Sequence, residues 1–294
     1  MNLSTLYEQK KCVLSFEVFP PKKTDDVRGL YRTLEGLHDL APDYISVTYG
    51  AGGSGEQRQQ TVHLADTIKR EYGIEPLPHL TCINSTRETV LALLDELAAL
   101  GIDNVLALRG DRVEGALPGA FHYASELVEL IKSRGGFSVA GACYPEGHTE
   151  APSLEEDIVH LRRKVDAGVS HLASQLFFDN AAFYSFEKKA RAMGITVPIA
   201  AGIMPVTNKS QIERMVSLCG ASLPDKLAGI IDKWGHNKAA LRDAGIAYAV
   251  DQIVDLMASG VQGIHLYTMN SPYVAKKVVG SVQKLLCDLN CTEA

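Results

Sequence analysis

The sequence predicts a single-domain α/β protein built as a closed (β/α)8 TIM barrel. Three observations predict it. Short apolar, β-branched runs alternate with longer amphipathic stretches along the 294 residues. Several runs are apolar nearly throughout, as in Val105-Leu106-Ala107-Leu108, which suits parallel strands covered on both faces. No composition break, low-complexity segment or long linker divides the chain. Alternating strands and helices imply a parallel sheet. Eight such units without a break fit a closed barrel of about 250 residues better than an open doubly wound sheet.

The strands are expected at Val13–Phe19, Tyr44–Thr48, Leu77–Cys82, Asn104–Leu108, Ser138–Ala142, His171–Phe177, Val197–Ile203 and Gly263–Thr268. Helices fill the intervals. Thr86–Leu100 opens at a cap from Ser85 or Thr86, carries Leu91, Leu94, Leu97 and Leu100 at three-residue spacing, and stops at Gly101. Ser153 with Glu156 three residues on forms a capping pattern, and that helix ends near Gly168. Asn237–Ser259 and Ser271–Asn290 are helical by pattern. The eighth helix runs nearly to the last residue, so one catalytic domain over 1–294 with no regulatory domain is expected.

Composition excludes several classes. Apolar residues make up 46% and charged residues 22%, a globular balance rather than a disordered one. The net charge of −6 argues against general nucleic-acid binding, which needs positive charge to release counterions. No run of about 18 apolar residues is present to span a bilayer. Met1–Cys12 lacks the apolar core of a secretory signal. Six scattered cysteines do not form a disulfide framework, which suits a reducing cytoplasm. Cys287 and Cys291 have no companion ligands for zinc.

Barrel chemistry sits at the C-terminal ends of the strands. Polar residues there are Glu17, Thr48 and Tyr49, His79 and Thr81, Arg109-Gly110-Asp111, Tyr144 to His148, Gln175, Asn208 and Gln211, and Tyr267 to Asn270. Glu17 lies between Phe16 and Val18-Phe19. Desolvation there would raise its pKa and suit a general acid, and the competing reading is a salt-bridged structural glutamate. Arg109 can clamp a phosphate and Asp111 can accept hydrogen bonds from a polar ring, or the two can form a local turn. His79 reads first as a satisfied core histidine and second as a cofactor contact. His79, His148 and His171 have no metal-ligand spacing, so no metal is expected.

Gly50-Ala51-Gly52-Gly53-Ser54-Gly55 matches G-x-G-x-x-G after a strand. It occurs in the second unit of eight and the next helix begins only after it, so a glycine loop over the barrel mouth is the better reading than a dinucleotide fingerprint. The run Arg162-Arg163-Lys164 is either a solvated helix face or a contact for the phosphates of an adenine cofactor. Trp234 and Gly235-His236 have no assignment.

Taken together these segments resemble methylenetetrahydrofolate reductase of the bacterial, catalytic-domain-only type. The matching stretches are SFEVFPPK from Ser15, YISVTYGAGGS from Tyr44, PHLTC from Pro78, ALRGD from Ala107, YPEGH from Tyr144, LRRKVDAG from Leu161, SQLFFD from Ser174 and GIMPV from Gly202. The resemblance covers nearly the whole chain. It implies a (β/α)8 barrel that reduces 5,10-methylenetetrahydrofolate to 5-methyltetrahydrofolate, with FAD as cofactor and NADH or NADPH as electron donor. The product would supply methyl groups for methionine synthesis, and the enzyme would be a cytoplasmic homo-oligomer.

By the same resemblance, Glu17 is the acid that opens the methylene bridge. Asp111 sits between flavin and pterin, Gln175 serves folate and nicotinamide in turn, and Gln211 contacts folate. Thr48, Tyr49 and Ala51 face the flavin and the pyridine nucleotide. His79, Arg109, Gly110, Tyr123, Ala124, Tyr144, His148, Ala151, Asp157, Arg163 and Lys164 match FAD-binding positions. Two departures stand out. Ser271 replaces an Arg expected to meet the folate tail, leaving Lys276 as a substitute, and His160 replaces an Asn on the FAD helix. Two alternatives are a flavin-free, pterin-dependent methyl-transfer barrel and a non-catalytic flavin- or folate-binding subunit of a larger complex.

Overall fold

The computed structural model describes residues 1–21, 27–49, 55–111 and 119–291. Eight parallel strands close in sequence order, so that β1 (Val13–Val18) pairs with both β2 (Tyr44–Val47) and β8 (Gly263–Tyr267). Between them run β3 (Glu75–Thr81), β4 (Asn104–Leu108), β5 (Ser138–Cys143), β6 (His171–Ser174) and β7 (Ile199–Ile203). The expected (β/α)8 barrel is the observed fold. Six expected strands differ from the observed ones only by one to two residues at an end. Strand β6 is shorter: it stops at Ser174, which places Gln175 in the connection just past it.

The period of two sorts each strand into an inner and an outer face. On β1, Phe16 and Val18 turn outward into the apolar layer shared with the helices, beside Leu34, Leu37 and Val279. Ser15 and Glu17 turn inward. Outside lie α2 (Val27–His38), α3 (Gly55–Tyr72), α4 (Arg87–Ala99), α5 (Ala124–Arg134), α6 (Leu154–Asp166), α7 (Asn180–Ala192) and α11 (Pro272–Asn290), with α10 (Lys238–Ala258) preceding β8. Caps follow side-chain chemistry. Thr86, Ser153, Asn237 and Ser271 each accept a backbone N–H from the first turn of their helix. Ser271, standing where an Arg was expected, therefore starts α11.

Three helices lie outside the eight simple units. α1 (Leu3–Gln9) plugs the N-terminal end of the barrel. Its Leu3, Leu6 and Tyr7 pack on the inward layer formed by Val13, Tyr44, Leu77, Leu106, Ala140 and Ala200. α8 (Lys209–Cys219) and α9 (Asp225–Trp234) stand between β7 and α10. Their Ile212, Leu227 and Ile231 build a separate apolar cluster with Leu176, Phe178, Met204 and Val206 at the C-terminal end of the barrel. Trp234, 41% exposed, closes α9. Among the described residues no helix is long and apolar enough to cross a membrane.

Candidate active site

The plugged N-terminal end leaves the opposite end open, and inward side chains there meet across the barrel. Glu17 is 19% exposed, and its Oε2 lies 3.7 Å from His79 Nε2 and 3.8 Å from His265 Nε2. The neighbours of Glu17 are thus two imidazoles rather than the flanking Phe16 and Val18, which face away. Sequence adjacency misleads here because alternate strand residues point to opposite faces. Burial pushes the His79 imidazole down to about 4, against the pull of Glu17, so His79 is neutral at pH 7. His265 is fixed from behind: its Nδ1 lies 2.8 Å from Ser15 Oγ, and the imidazole tautomer sets the direction of that bond.

The floor beside Glu17 is Tyr267. Its hydroxyl donates to the Ser174 carbonyl at 2.8 Å, and its ring crosses Gly202, where an added Cβ would stand 2.8 Å from Cε2. Burial and the Glu17 carboxylate push the Tyr267 phenol well up. The rim is tied as firmly. Thr268 Oγ1 donates to the Glu17 carbonyl at 2.7 Å. The Asn270 side chain both donates to the Phe19 carbonyl at 2.8 Å and accepts its N–H at 3.1 Å. Met269 and Asn270 adopt positive φ, 50° and 54°, to make this turn.

Gln175 follows Ser174 at the mouth. Its backbone N–H donates to the Cys143 carbonyl at 2.7 Å, and its Oε1 accepts the Leu176 N–H at 2.9 Å. Asp111 is exposed just past β4, where its charge is felt by Arg109, Tyr144 and Cys219. Gln211 is half-buried in the first turn of α8, its backbone N–H donated to the capping Asn208. Thr48 and Tyr49 are half-buried at the end of β2, and the Thr48 carbonyl accepts from Thr61 Oγ1 at 3.0 Å. Ala51, with the rest of the glycine loop up to Ser54, lies outside the described residues, and α3 begins at Gly55.

A cleft of about 430 Å³ opens at the same end, between β4–α5 and β5–α6. Its walls include Arg109, Tyr123, Ala124, Tyr144, His148, Ala151, Asp157, His160, Arg163 and Lys164. Ten residues proposed to bind one cofactor, scattered from 109 to 164, thus come together. Asp157, His160, Arg163 and Lys164 share a face of α6 because residues three and four apart are neighbours on a helix. His79 does not line this cleft; it stands inside the barrel, with Nε2 buried and without a hydrogen-bond partner among the described residues. Gly110 lies at the cleft edge with φ +84°, and a Cβ there would meet Thr81 Cβ at 2.9 Å. Only glycine satisfies both conditions.

The cleft sets the cations Arg109, Arg163 and Lys164 against the carboxylates of Glu150 and Asp157. Lys164 donates from Nζ to the Ala142 carbonyl at 2.7 Å, and burial lowers its ammonium pKa. Arg163 is exposed on the rim. Arg162, in contrast, bonds Asp166 and the carbonyls of Met193 and Gly194, ending α7. The basic run is therefore neither a uniform solvated face nor a uniform anion site: one residue is structural and two face the cleft. Asp157 Oδ2 accepts the His148 N–H at 3.2 Å, and burial raises its carboxyl. Tyr123 and His160 pair their rings at 6.3 Å across the outer lip. Such a cleft can take a ligand that is anionic in one part and aromatic in another.

Two side chains in this arrangement went unread in the sequence. His265 shares the inward face of β8 with Tyr267, two residues on, and a strict period of two could have found it. Glu150 is bidentate with Arg109, from Nη1 to Oε2 at 2.7 Å and from Nη2 to Oε1 at 2.6 Å, and no spacing rule links positions 109 and 150.

Comparisons with known proteins place the chain in a family. The family model described as methylenetetrahydrofolate reductase matches residues 2–283. The 5,10-methylenetetrahydrofolate reductase of Pectobacterium carotovorum is 36% identical over 271 residues, covering 92% of this chain and 90% of that protein. The Escherichia coli K12 protein of the same name is 35% identical over 270 residues, with the same coverages. Methylenetetrahydrofolate reductase (NADH) 1 of Arabidopsis thaliana is 33% identical over 300 residues, 97% of this chain and 50% of that protein. A solved protein from Clostridium thermocellum, described as binding two copies of 5-methyl-5,6,7,8-tetrahydrofolic acid, shares the fold with a TM-score of 0.70 at 12% identity, covering 98% of this chain and 100% of that one. A family match over nearly the whole length, together with relatives above 30% identity matched along nine-tenths of their own length, decides the identity of the family: the chain belongs to the methylenetetrahydrofolate reductases.

Proposed function

We propose that this chain is an FAD-dependent reductase of 5,10-methylenetetrahydrofolate, giving 5-methyltetrahydrofolate at the expense of NADH or NADPH. The observation that carries the reading is the convergence of Arg109, Tyr144, His148, Asp157, Arg163 and Lys164 on one cleft beside the Glu17 mouth. That donor set suits FAD. Arg109, Arg163 and Lys164 offer positive charge to a diphosphate, and the Tyr123–His160 ring pair offers a stacking surface. The volume lies within the roughly 300–1,000 Å³ of small-molecule sites.

Arg109, Arg163 and Lys164 would hold the diphosphate of the flavin, which would supply the hydride transfer between pyridine nucleotide and folate. The chain's own residues do the rest. Glu17 carries a proton at its carboxyl and gives it to a nitrogen of the methylene bridge. The carbon–nitrogen bond then breaks to an iminium, which hydride converts to the methyl group. One proton and one hydride are consumed per turnover. Asp111 accepts hydrogen bonds from the pterin ring. Gln175, its oxygen held by Leu176, presents its NH2 to folate and nicotinamide in turn. We also read the enzyme as a single catalytic domain, cytoplasmic, homo-oligomeric, and feeding methyl groups to methionine synthesis, on the family resemblance.

The purified protein is expected to be yellow, to bleach with NADH or NADPH, and to recolour on adding 5,10-methylenetetrahydrofolate. A colourless protein would leave the flavin-free methyl-transfer reading. A yellow protein that no pyridine nucleotide bleaches would leave the binding-subunit reading.

A further inference from the structure

The pairing of Arg109 with Glu150 bears on how the cleft exchanges its ligand. A guanidinium has five N–H donors. Arg109 directs Nε to the Gly110 carbonyl at 3.3 Å and spends one N–H of each terminal nitrogen on Glu150. The fork that would grip a diphosphate bidentately is thus already occupied by a carboxylate. Arg109 is 18% exposed while Glu150 is 49% exposed, so the carboxylate stands on the solvent side of a largely covered cation. A covered guanidinium without an anion would be costly to hold, and Glu150 removes that cost. Glu150 is tied to the cleft a second time: its backbone N–H donates to His148 Nδ1 at 3.0 Å, so that nitrogen is an acceptor and the proton of the neutral ring stands on Nε2.

We propose that Glu150 is a built-in counter-anion, which neutralises Arg109 in the cofactor-free protein and is displaced from it by the cofactor's diphosphate. The inference rests on the FAD reading above. It gives Glu150 two opposed effects. It offsets the charge of Arg109 in the apoprotein, and it weakens cofactor binding, because the diphosphate must break a bidentate pair and settle near a carboxylate. A residue that merely positioned Arg109 for the cofactor would act with one sign on both.

The test compares flavin-stripped wild type with Glu150→Gln, titrated with FAD and with riboflavin by flavin fluorescence and followed by thermal unfolding. The glutamine keeps the backbone N–H to His148 and the size of the side chain, removes the charge, and turns one acceptor oxygen of the bidentate pair into a donor. Glu150→Gln is expected to lower the Tm of the apoprotein, to tighten FAD by about tenfold, the effect of removing one competing charge, and to leave riboflavin, which has no phosphate, unchanged. Glu150→Ala should shift FAD affinity in the same direction. Weaker or unchanged FAD binding in both variants would overturn the exchange while leaving the flavoprotein reading intact. Equal tightening of riboflavin would also overturn it, since the effect would not act through the diphosphate. Wild-type apoprotein that binds no FAD would overturn the cofactor reading and the exchange with it.

Discussion

The Tyr267 hydroxyl reaches across β7 to the carbonyl of Ser174, 2.8 Å away. That bond joins the strand next to Glu17 with the residue just before Gln175. It is feasible only because Gly202 lies between, its N–H donated to Ser174 Oγ at 2.8 Å. The spacing of two proposed catalytic groups thus depends on the missing side chain of a third residue.

Gly202→Ala should therefore be strongly destabilising. Its Cβ would stand 2.2 Å from the Ser174 carbonyl oxygen and 2.8 Å from Tyr267 Cε2, and neither backbone nor packed ring can yield cheaply. A loss of about 1–3 kcal/mol or more is expected from overpacking. Urea unfolding checks it, and a stability equal to wild type would mean that the ring is free to leave the floor.

Glu17→Gln should keep flavin and its reduction by NAD(P)H while slowing folate reduction by roughly a hundredfold or more, the usual contribution of a general acid. Stopped-flow measurement of the two half-reactions separates them. Equal losses in both would make Glu17 a structural partner of His79 and His265 instead.

For Gln175→Glu, folate use should suffer more than the fold does. The Leu176 N–H at 2.9 Å keeps an acceptor in either case, but an ionised glutamate loses the NH2 donor. It also adds negative charge to a mouth that already holds Asp111. Folate Kd and both half-reaction rates are the measurement, with circular dichroism as the control for folding. Unchanged affinity and rates would place Gln175 outside the site.

The two cleft cations should separate by their second roles. Arg163→Ala combined with Lys164→Ala is expected to weaken FAD retention on dialysis. Arg163→Ala alone should leave apoprotein stability near wild type, since that side chain is exposed. Lys164→Ala alone should lower it by about 1–3 kcal/mol, because the Ala142 carbonyl loses a charged donor at 2.7 Å. Full flavin retention in the double variant would remove both residues from the cofactor site.

Stability should fall on acidification from pH 6.5 towards 4. Burial pushes His79 down to about 4 and His171 to about 3. An unfolded histidine titrates near 6.5, so in that window the unfolded chain binds more protons than the native one and each histidine steepens the loss by up to about 1.4 kcal/mol per pH unit. His171→Gln should flatten the slope between pH 6.5 and 4 relative to wild type. Parallel slopes would mean that His171 titrates alike in both states.

Much of this protein is determined locally. The eight apolar runs, the caps at Thr86, Ser153 and Asn237, and the period of two that turns Glu17 inward are local properties of the chain, so the barrel and the strand ends that carry its chemistry follow from the sequence alone. The spacing 157, 160, 163, 164 likewise puts one helix face on the cleft. What only the tertiary structure decided are contacts between segments far apart. The two imidazoles beside Glu17 come from β3 and β8. Glu150 meets Arg109 across 41 positions, and α1 plugs the barrel from outside the repeat. Arg162, Arg163 and Lys164 look equivalent in a row, yet helical rotation sends the first to the end of α7 and the other two to the cleft. Local propensity and periodicity specify which way a residue faces; which partner it finds there depends on loop closure and packing, which the residue's own neighbours in sequence do not encode.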